Sequence, residues 1–160
     1  MQRFAHSSDV DIQVLTSQWE GHRLLDSGDG LKLEEIGGVR MIRSEPKAWW
    51  KQALPKSEWS KAVAIHEEGG REGHWKLNGN CPRDWETKWG DIKLQLRFMD
   101  NSKQFGVFAE QSPHWKWLAE QKSTTQPRPR LLNLFGYTGA ASLIAAKAGW
   151  NVTHVDASKP

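Results

Sequence analysis

Gly136, Gly139 and Asp156 are the residues whose types and spacing point most directly to ligand chemistry. Glycines at the two ends of a short turn let the backbone come close to a ligand. An acidic residue 20 positions after Gly136 falls where a ribose-holding carboxylate sits in nucleotide-binding units. Such a carboxylate accepts two hydrogen bonds from a ribose diol. The glycine order narrows the ligand. Dinucleotide sites use G-x-G-x-x-G, whose middle glycine lets a pyrophosphate lie close. Here Tyr137 and Thr138 occupy the middle of the turn. A nucleoside without phosphates fits better, and S-adenosylmethionine, with a ribose and an amino-acid tail, is such a ligand.

Three elements must position these residues. Leu131-Leu132-Asn133-Leu134-Phe135 is an apolar run, as expected for a strand buried on both faces of a parallel sheet. Gly136 to Gly139 follows as a tight loop. Ala140 to Ala148 contains strong helix formers and no breaker, with Gly149 where a C-terminal cap glycine belongs. This helix is apolar nearly all round, which implies burial. Asn151-Val152-Thr153-His154-Val155 is a second strand, rich in β-branched residues, and Asp156 stands at its tip. The segment reads as a βαβ unit with a nucleoside site at its first turn.

The residues before it read as β-rich. Arg23 to Asp26, Leu31 to Ile36 and Val39 to Arg43 form a meander around Ser27-Gly28-Asp29-Gly30 and Gly37-Gly38. Lys47 to Lys61 reads as a loop with one short helical turn. Ala62 to His66 and Gly73 to Leu77 are further strands. In Asp91 to Phe98 the apolar residues alternate, placing Ile92, Leu94, Leu96 and Phe98 on one buried face. Gln104 to Phe108 is expected to pair with it across the Asp100-Asn101-Ser102 turn. Ser112-Pro113 reads as a helix start, with Ser112 as the cap and the helix running to about Lys122. Ser123 to Arg130 is a connector. The fold class is α/β: a β-rich region over 1–105, then the first βαβ unit of a Rossmann-like domain over 106–160.

Asn133-Leu134-Phe135-Gly136-Tyr137-Thr138-Gly139, with Val155-Asp156-Ala157-Ser158-Lys159 after it, resembles the RlmI-like class I methyltransferases. These are relatives of enzymes that methylate bases of large-subunit ribosomal RNA. The resemblance implies S-adenosylmethionine as cofactor and an RNA base as acceptor. By the same resemblance Asn133 and Phe135 to Gly139 line the cofactor, Asp156 holds its ribose, and Ala157 and Ser158 lie beside the adenosine. Family members also carry Phe-Leu-Asp-Gln-Arg ahead of the first strand. Phe108-Ala109-Glu110-Gln111-Ser112 matches it without the arginine, which adds Gln111 to the cofactor residues. The rest of the family's sheet, its acceptor-side Pro-Pro loop and any catalytic cysteine would lie beyond Pro160. On this reading the chain is the front part of a longer enzyme and inactive alone, with a frayed quarter over 131–156.

Composition limits the alternatives. The chain has 160 residues, net charge +3 and one cysteine, Cys81, so no internal disulfide can form. The N-terminus shows no signal-peptide pattern, and no apolar stretch approaches the ~20 residues of a membrane span. A cytoplasmic protein is expected. Six histidines show no ligand spacing, so no metal is assigned. Cys81 reads as an inert thiol, and Glu34-Glu35 and Glu67-Glu68 as exposed charge. Of ten tryptophans, Trp19, Trp49, Trp50, Trp59, Trp75, Trp85 and Trp89 are expected to fill the front core, with Trp49-Trp50 the best exception. Trp115 and Trp117 are expected to pack their helix on the sheet. Two other classes stay open: a non-catalytic module whose front holds RNA or protein, and a nicotinamide-dependent oxidoreductase.

Overall fold

Turn chemistry sets the front of the molecule. A computed structural model describes residues 19–69, 73–100, 102–121 and 126–157. Strand β1 (His22–Gly28) meets β2 (Leu31–Ile36) across Asp29 and Gly30, both at positive φ. That conformation suits the twist of a two-residue hairpin, which is why Asp-Gly is favoured there. Gly37 and Gly38 repeat the device between β2 and β3 (Val39–Ser44). A crossover holding the short helix α1 (Lys56–Trp59) brings β4 (Ala64–Glu67) parallel to β3, and β5 (His74–Leu77) returns antiparallel. The five-stranded order is β1-β2-β3-β4-β5.

Both faces of this sheet are covered. Leu33 pairs in register with Ile42, and this face packs on Trp59 and Ala62 from the crossover. The opposite face puts Ile36, Val39 and Met41 into the main core. Glu34 shares that second face and is buried, which corrects its reading as exposed charge. The cause is Arg43, equally buried, whose Nε and Nη2 reach the two Glu34 oxygens at 2.7 and 3.0 Å. Burial alone would raise the Glu34 carboxyl. Hydrogen bonds from His22 and Arg43, with the charges of Arg43 and Lys32, outweigh it and hold the group at about 2.

Strands β6 (Asp84–Trp89) and β7 (Ile92–Arg97) form a second, two-stranded sheet. Leu94, Leu96 and Phe98 are buried as the alternation requires. The partner of β7 is β6, and Gln104 to Phe108 forms no strand. Gly106 at φ +107° turns that segment out of extended geometry after one bond, Arg97 N–H to the Phe105 carbonyl at 3.0 Å. Phe105 and Val107 are nonetheless buried against the core.

A 3-10 turn, Ala109–Gln111, leads into α2 (Ser112–Glu120). Ser112 is the first helical residue, not the cap. The cap position belongs to Gln111, because the preceding turn starts the helix earlier. Lys122 and the first three residues of the expected connector, 123–125, lie outside the described residues. Trp115 is buried, but Trp117 is exposed. Two positions apart on a helix, they point to opposing sides, so both cannot pack on the sheet.

Strand β8 (Arg130–Leu134), helix α3 (Ala140–Lys147) and β9 (Asn151–Val155) form the expected βαβ unit, with β8 and β9 parallel. Two expectations change. The strands are not buried on both faces, and α3 is not buried all round. Ala140, Ile144 and Ala145 reach the main core, whereas Leu143, Leu132 and Leu134 are exposed. The main core is continuous, from Ile36 and Met41 through Trp85 and Phe98 to Trp115 and Ile144.

Candidate functional site

The loop between β8 and α3 has an unusual backbone. Phe135 (φ 56°), Tyr137 (φ 52°) and Gly139 (φ 92°) are all left-handed. For Phe and Tyr that conformation costs of order 1–3 kcal/mol each, and such strain persists where the surroundings over-determine it. Four contacts do so. Gly136 N–H donates to the Val155 carbonyl at 3.0 Å, and Gly139 N–H to the Gly136 carbonyl at 3.0 Å. Tyr137 N–H donates to Asp156 Oδ2 at 2.7 Å. The Thr138 hydroxyl donates to the Gly106 carbonyl at 2.7 Å, tying the loop to the segment before α2.

A polar chain supports the loop from beneath. Asn133 Nδ2 donates to Ser142 Oγ at 2.9 Å, and Ser142 Oγ lies 2.9 Å from His154 Nδ1. The imidazole sits against Gly136. A β-carbon on Gly136 would fall 2.3 Å from His154 Cε1. The need for glycine at 136 is thus set by a neighbouring side chain, while Gly139 is required by its own positive φ.

A cleft of about 490 Å³ opens beside the loop. Its walls include Gln111, Asn133, Phe135, Gly136, Tyr137 and Thr138, six of the residues singled out from sequence. Gly139, Asp156 and Ala157 are not among its walls. Asp156 touches the loop through Tyr137 N–H, and Ser158 lies outside the described residues. Gln111 Oε1 is held 2.8 Å from His114 Nδ1. Sequence reasoning missed Val107, Phe108, Glu110 and Trp115 on the facing wall, and Ser142 and His154 below. His154 had a signal: two positions before Asp156 on a strand, it must share that residue's side.

The site's electrostatics are one-sided. Among the described residues Glu110 is the sole charged one lining the cleft, with no lysine or arginine beside it. Ala140 and Ala141 end it at the start of α3, where no side chain caps the helix. Those first N–H groups suit a single carboxylate. Phe108 and Tyr137 pack ring against ring, with centroids 4.9 Å apart. The Tyr137 hydroxyl is buried toward Gly106 without a well-aligned hydrogen bond, and burial pushes its pKa up. Among the described residues no cluster of His, Cys, Asp or Glu could hold a metal ion.

With that geometry, the solved structures it resembles are informative. The chain is 39% identical to a SAM-dependent methyltransferase from Agrobacterium tumefaciens, over 99% of its own length, with a TM-score of 0.86. The two share one fold. The chain spans about half the length of that protein, 51%. A Streptococcus mutans protein provisionally assigned as a SAM-dependent methyltransferase matches at 17% identity and TM-score 0.60, over 90% of this chain and 40% of its own. A provisionally assigned methyltransferase solved with S-adenosylhomocysteine matches at 18% identity and TM-score 0.60, over the same shares of the two chains. At that identity these two speak for the fold alone. No protein-family model matches the chain, and no curated protein sequence does. No helix among the described residues is long and apolar enough to cross a membrane.

Proposed function

We propose that this chain carries the cofactor-binding part of an S-adenosylmethionine-dependent methyltransferase whose acceptor is an RNA base. The carrying observation is the 39% identity, over nearly the whole chain, to a methyltransferase of that cofactor class. The charge of the cleft supports it. A sulfonium cofactor carries positive charge and no phosphate, and the described residues of the cleft offer one carboxylate, Glu110, and no cation. A dinucleotide's pyrophosphate would meet the Glu110 carboxylate, and Tyr137 and Thr138 stand where a dinucleotide turn has its close-approach glycine, so the nicotinamide reading is disfavoured.

When bound, the cofactor supplies an activated methyl group, and the protein's contribution is positioning. In this reading Asn133, Phe135, Gly136, Tyr137, Thr138 and Gln111 line the ligand. The uncapped N–H groups of Ala140 and Ala141 take its carboxylate. Asp156, with Ala157 and Ser158 next to it in sequence and Gly139 at the end of the loop, holds the ribose side while also clamping Tyr137 N–H. The division at residue 105 separates an acceptor-side front from this cofactor region. One cysteine and no disulfide agree with a cytoplasmic enzyme. The RNA acceptor rests on the sequence resemblance described above.

Calorimetry with S-adenosylhomocysteine and with NAD tests the cofactor. The expected result is binding of the first, weakened at least tenfold by Asp156→Ala, and none of NAD. Binding of NAD alone would overturn the proposal.

A further inference from the structure

Residues 103–108 join no sheet, yet Val107 and Phe108 belong to the wall that faces the β8–α3 loop. No ladder sets the path of this strap, and Gly106 within it, at φ +107°, has the backbone freedom of glycine. We propose that Arg43, on the front sheet, is a positioning residue for the loop: it fixes the strap, and the strap fixes Tyr137 and Thr138. The effect on a bound ligand rests on the methyl-transfer reading of the neighbouring cleft, whereas the tie itself needs no ligand.

The contacts run unbroken from sheet to loop. Arg43 is buried, and Glu34 takes its Nε and Nη2. Its Nη1 donates to the Lys103 carbonyl at 3.3 Å and to Gln104 Oε1 at 3.2 Å. The guanidinium also lies over the Phe105 ring, 4.6 Å from its centroid. Three consecutive residues are thus held by one planar fork, itself oriented by a carboxylate. Trp75 Nε1 holds the Ser102 carbonyl at 2.8 Å, and Arg97 N–H holds the Phe105 carbonyl at 3.0 Å. Between those two anchors, Lys103 and Gln104 meet Arg43.

The next residue, Gly106, reaches the loop. Its carbonyl accepts the Thr138 hydroxyl at 2.7 Å, and the Tyr137 hydroxyl is buried toward it. Two residues on, Phe108 packs on the Tyr137 ring. Tyr137 is strained, at φ 52°, so its conformation depends on what surrounds it. Asp156 ties its backbone N–H, and the strap meets its ring and hydroxyl. A shift of the strap therefore moves Thr138 and the Tyr137 ring together, and both line the cleft.

Tyr137 is the only tyrosine of the chain, so fluorotyrosine incorporation places a single fluorine resonance in the loop. The test uses the full chain without ligand. Arg43→Lys keeps a cation for Glu34 but loses the fork that reaches the strap. It should shift or broaden the Tyr137 resonance. Thr138→Val should move the resonance too, and Thr138→Ser, which keeps the hydroxyl, should not. Arg43→Lys added to Thr138→Val should move it little further, because both act through one link. Gln104→Ala, at a half-buried side chain, should give a smaller shift with little risk to folding. Leu33→Ala loosens the other face of the front sheet and should leave the resonance in place. A resonance unmoved in both Arg43→Lys and Gln104→Ala, or moved as much by Leu33→Ala, would overturn the inference. Calorimetry with S-adenosylhomocysteine then reads the effect on the ligand. Arg43→Lys should weaken binding about 3-fold or more, and Leu33→Ala should not. Unchanged affinity in Arg43→Lys would overturn the effect on the ligand. A shifted Tyr137 resonance with no S-adenosylhomocysteine binding by the unaltered chain would remove the cofactor reading and leave the role of Arg43 standing.

Discussion

Strands β2 and β3 at the front and β8 and β9 at the back are similarly rich in apolar residues, but they meet different surroundings. Leu33, Ile36 and Met41 are fully enclosed, with a crossover on one side of their sheet and the main core on the other. Leu132 is 60% exposed and Leu134 54%, because α3 and the core cover one side of the β8–β9 pair and nothing among the described residues covers the other. Burial follows from what neighbours supply, and an apolar sequence alone does not decide it. The two regions also hold their polar groups differently. The front buries an ion pair in its sheet. The back spends its hydrogen bonds on bending one loop.

The contrast can be broken most forcefully at Glu34. Glu34→Ala leaves Arg43 buried and unpaired, and a loss of about 3–5 kcal/mol in urea unfolding is expected. Hydrogen exchange should then show the front strands losing the excess protection they hold over 130–155 in the unaltered chain. Equal protection of both regions from the outset would remove the contrast. Acid reads the same pair without mutation. Because folding depresses the Glu34 carboxyl from 4.5 to about 2, its contribution is present above pH 4.5 and lost as pH falls toward 2. That loss should be about 3 kcal/mol, and Glu34→Ala should abolish it.

At the back, Gly136→Ala forces the His154 ring away from Ser142. A cost of about 1–3 kcal/mol is expected, largely relieved in the Gly136→Ala/His154→Ala double variant, as a double-mutant cycle would reveal. The smallest effect belongs to Leu132→Ser, which should shift stability by no more than about 0.5 kcal/mol. Leu33→Ala, by comparison, should cost about 2–5 kcal/mol. A large cost at Leu132 would mean that its open side is covered in solution.

Much of this was legible in the residues. Asp29-Gly30 and Gly37-Gly38 announce their turns, and the alternation from Ile92 to Phe98 identifies its buried face. The βαβ unit has Gly136 in its first turn and Asp156 just past its second strand, as the spacing implies. What sequence could not supply was pairing at a distance. Nothing local distinguishes Gln104–Phe108 from Asp84–Trp89 as the partner of β7; the choice depends on the turn at Gly106. Glu34 looks like surface until Arg43, nine residues on, is seen to share its face. The facing wall of the cleft beside the β8–α3 loop, from Val107 to Trp115, lies next to the loop only through long-range packing.

The parallel seam between β3 and β4, Met41 with Ala64 and Ile42 with Ile65, also orders events in time. The β1–β2–β3 meander closes through two short turns and can form from local encounters. The seam must wait for the whole Glu45-to-Val63 crossover to find its place, and loop closure of that kind slows folding. Kinetically the front sheet is two pieces: a quick hairpin pair, and a later strand pair whose docking seals Trp59 over Leu33.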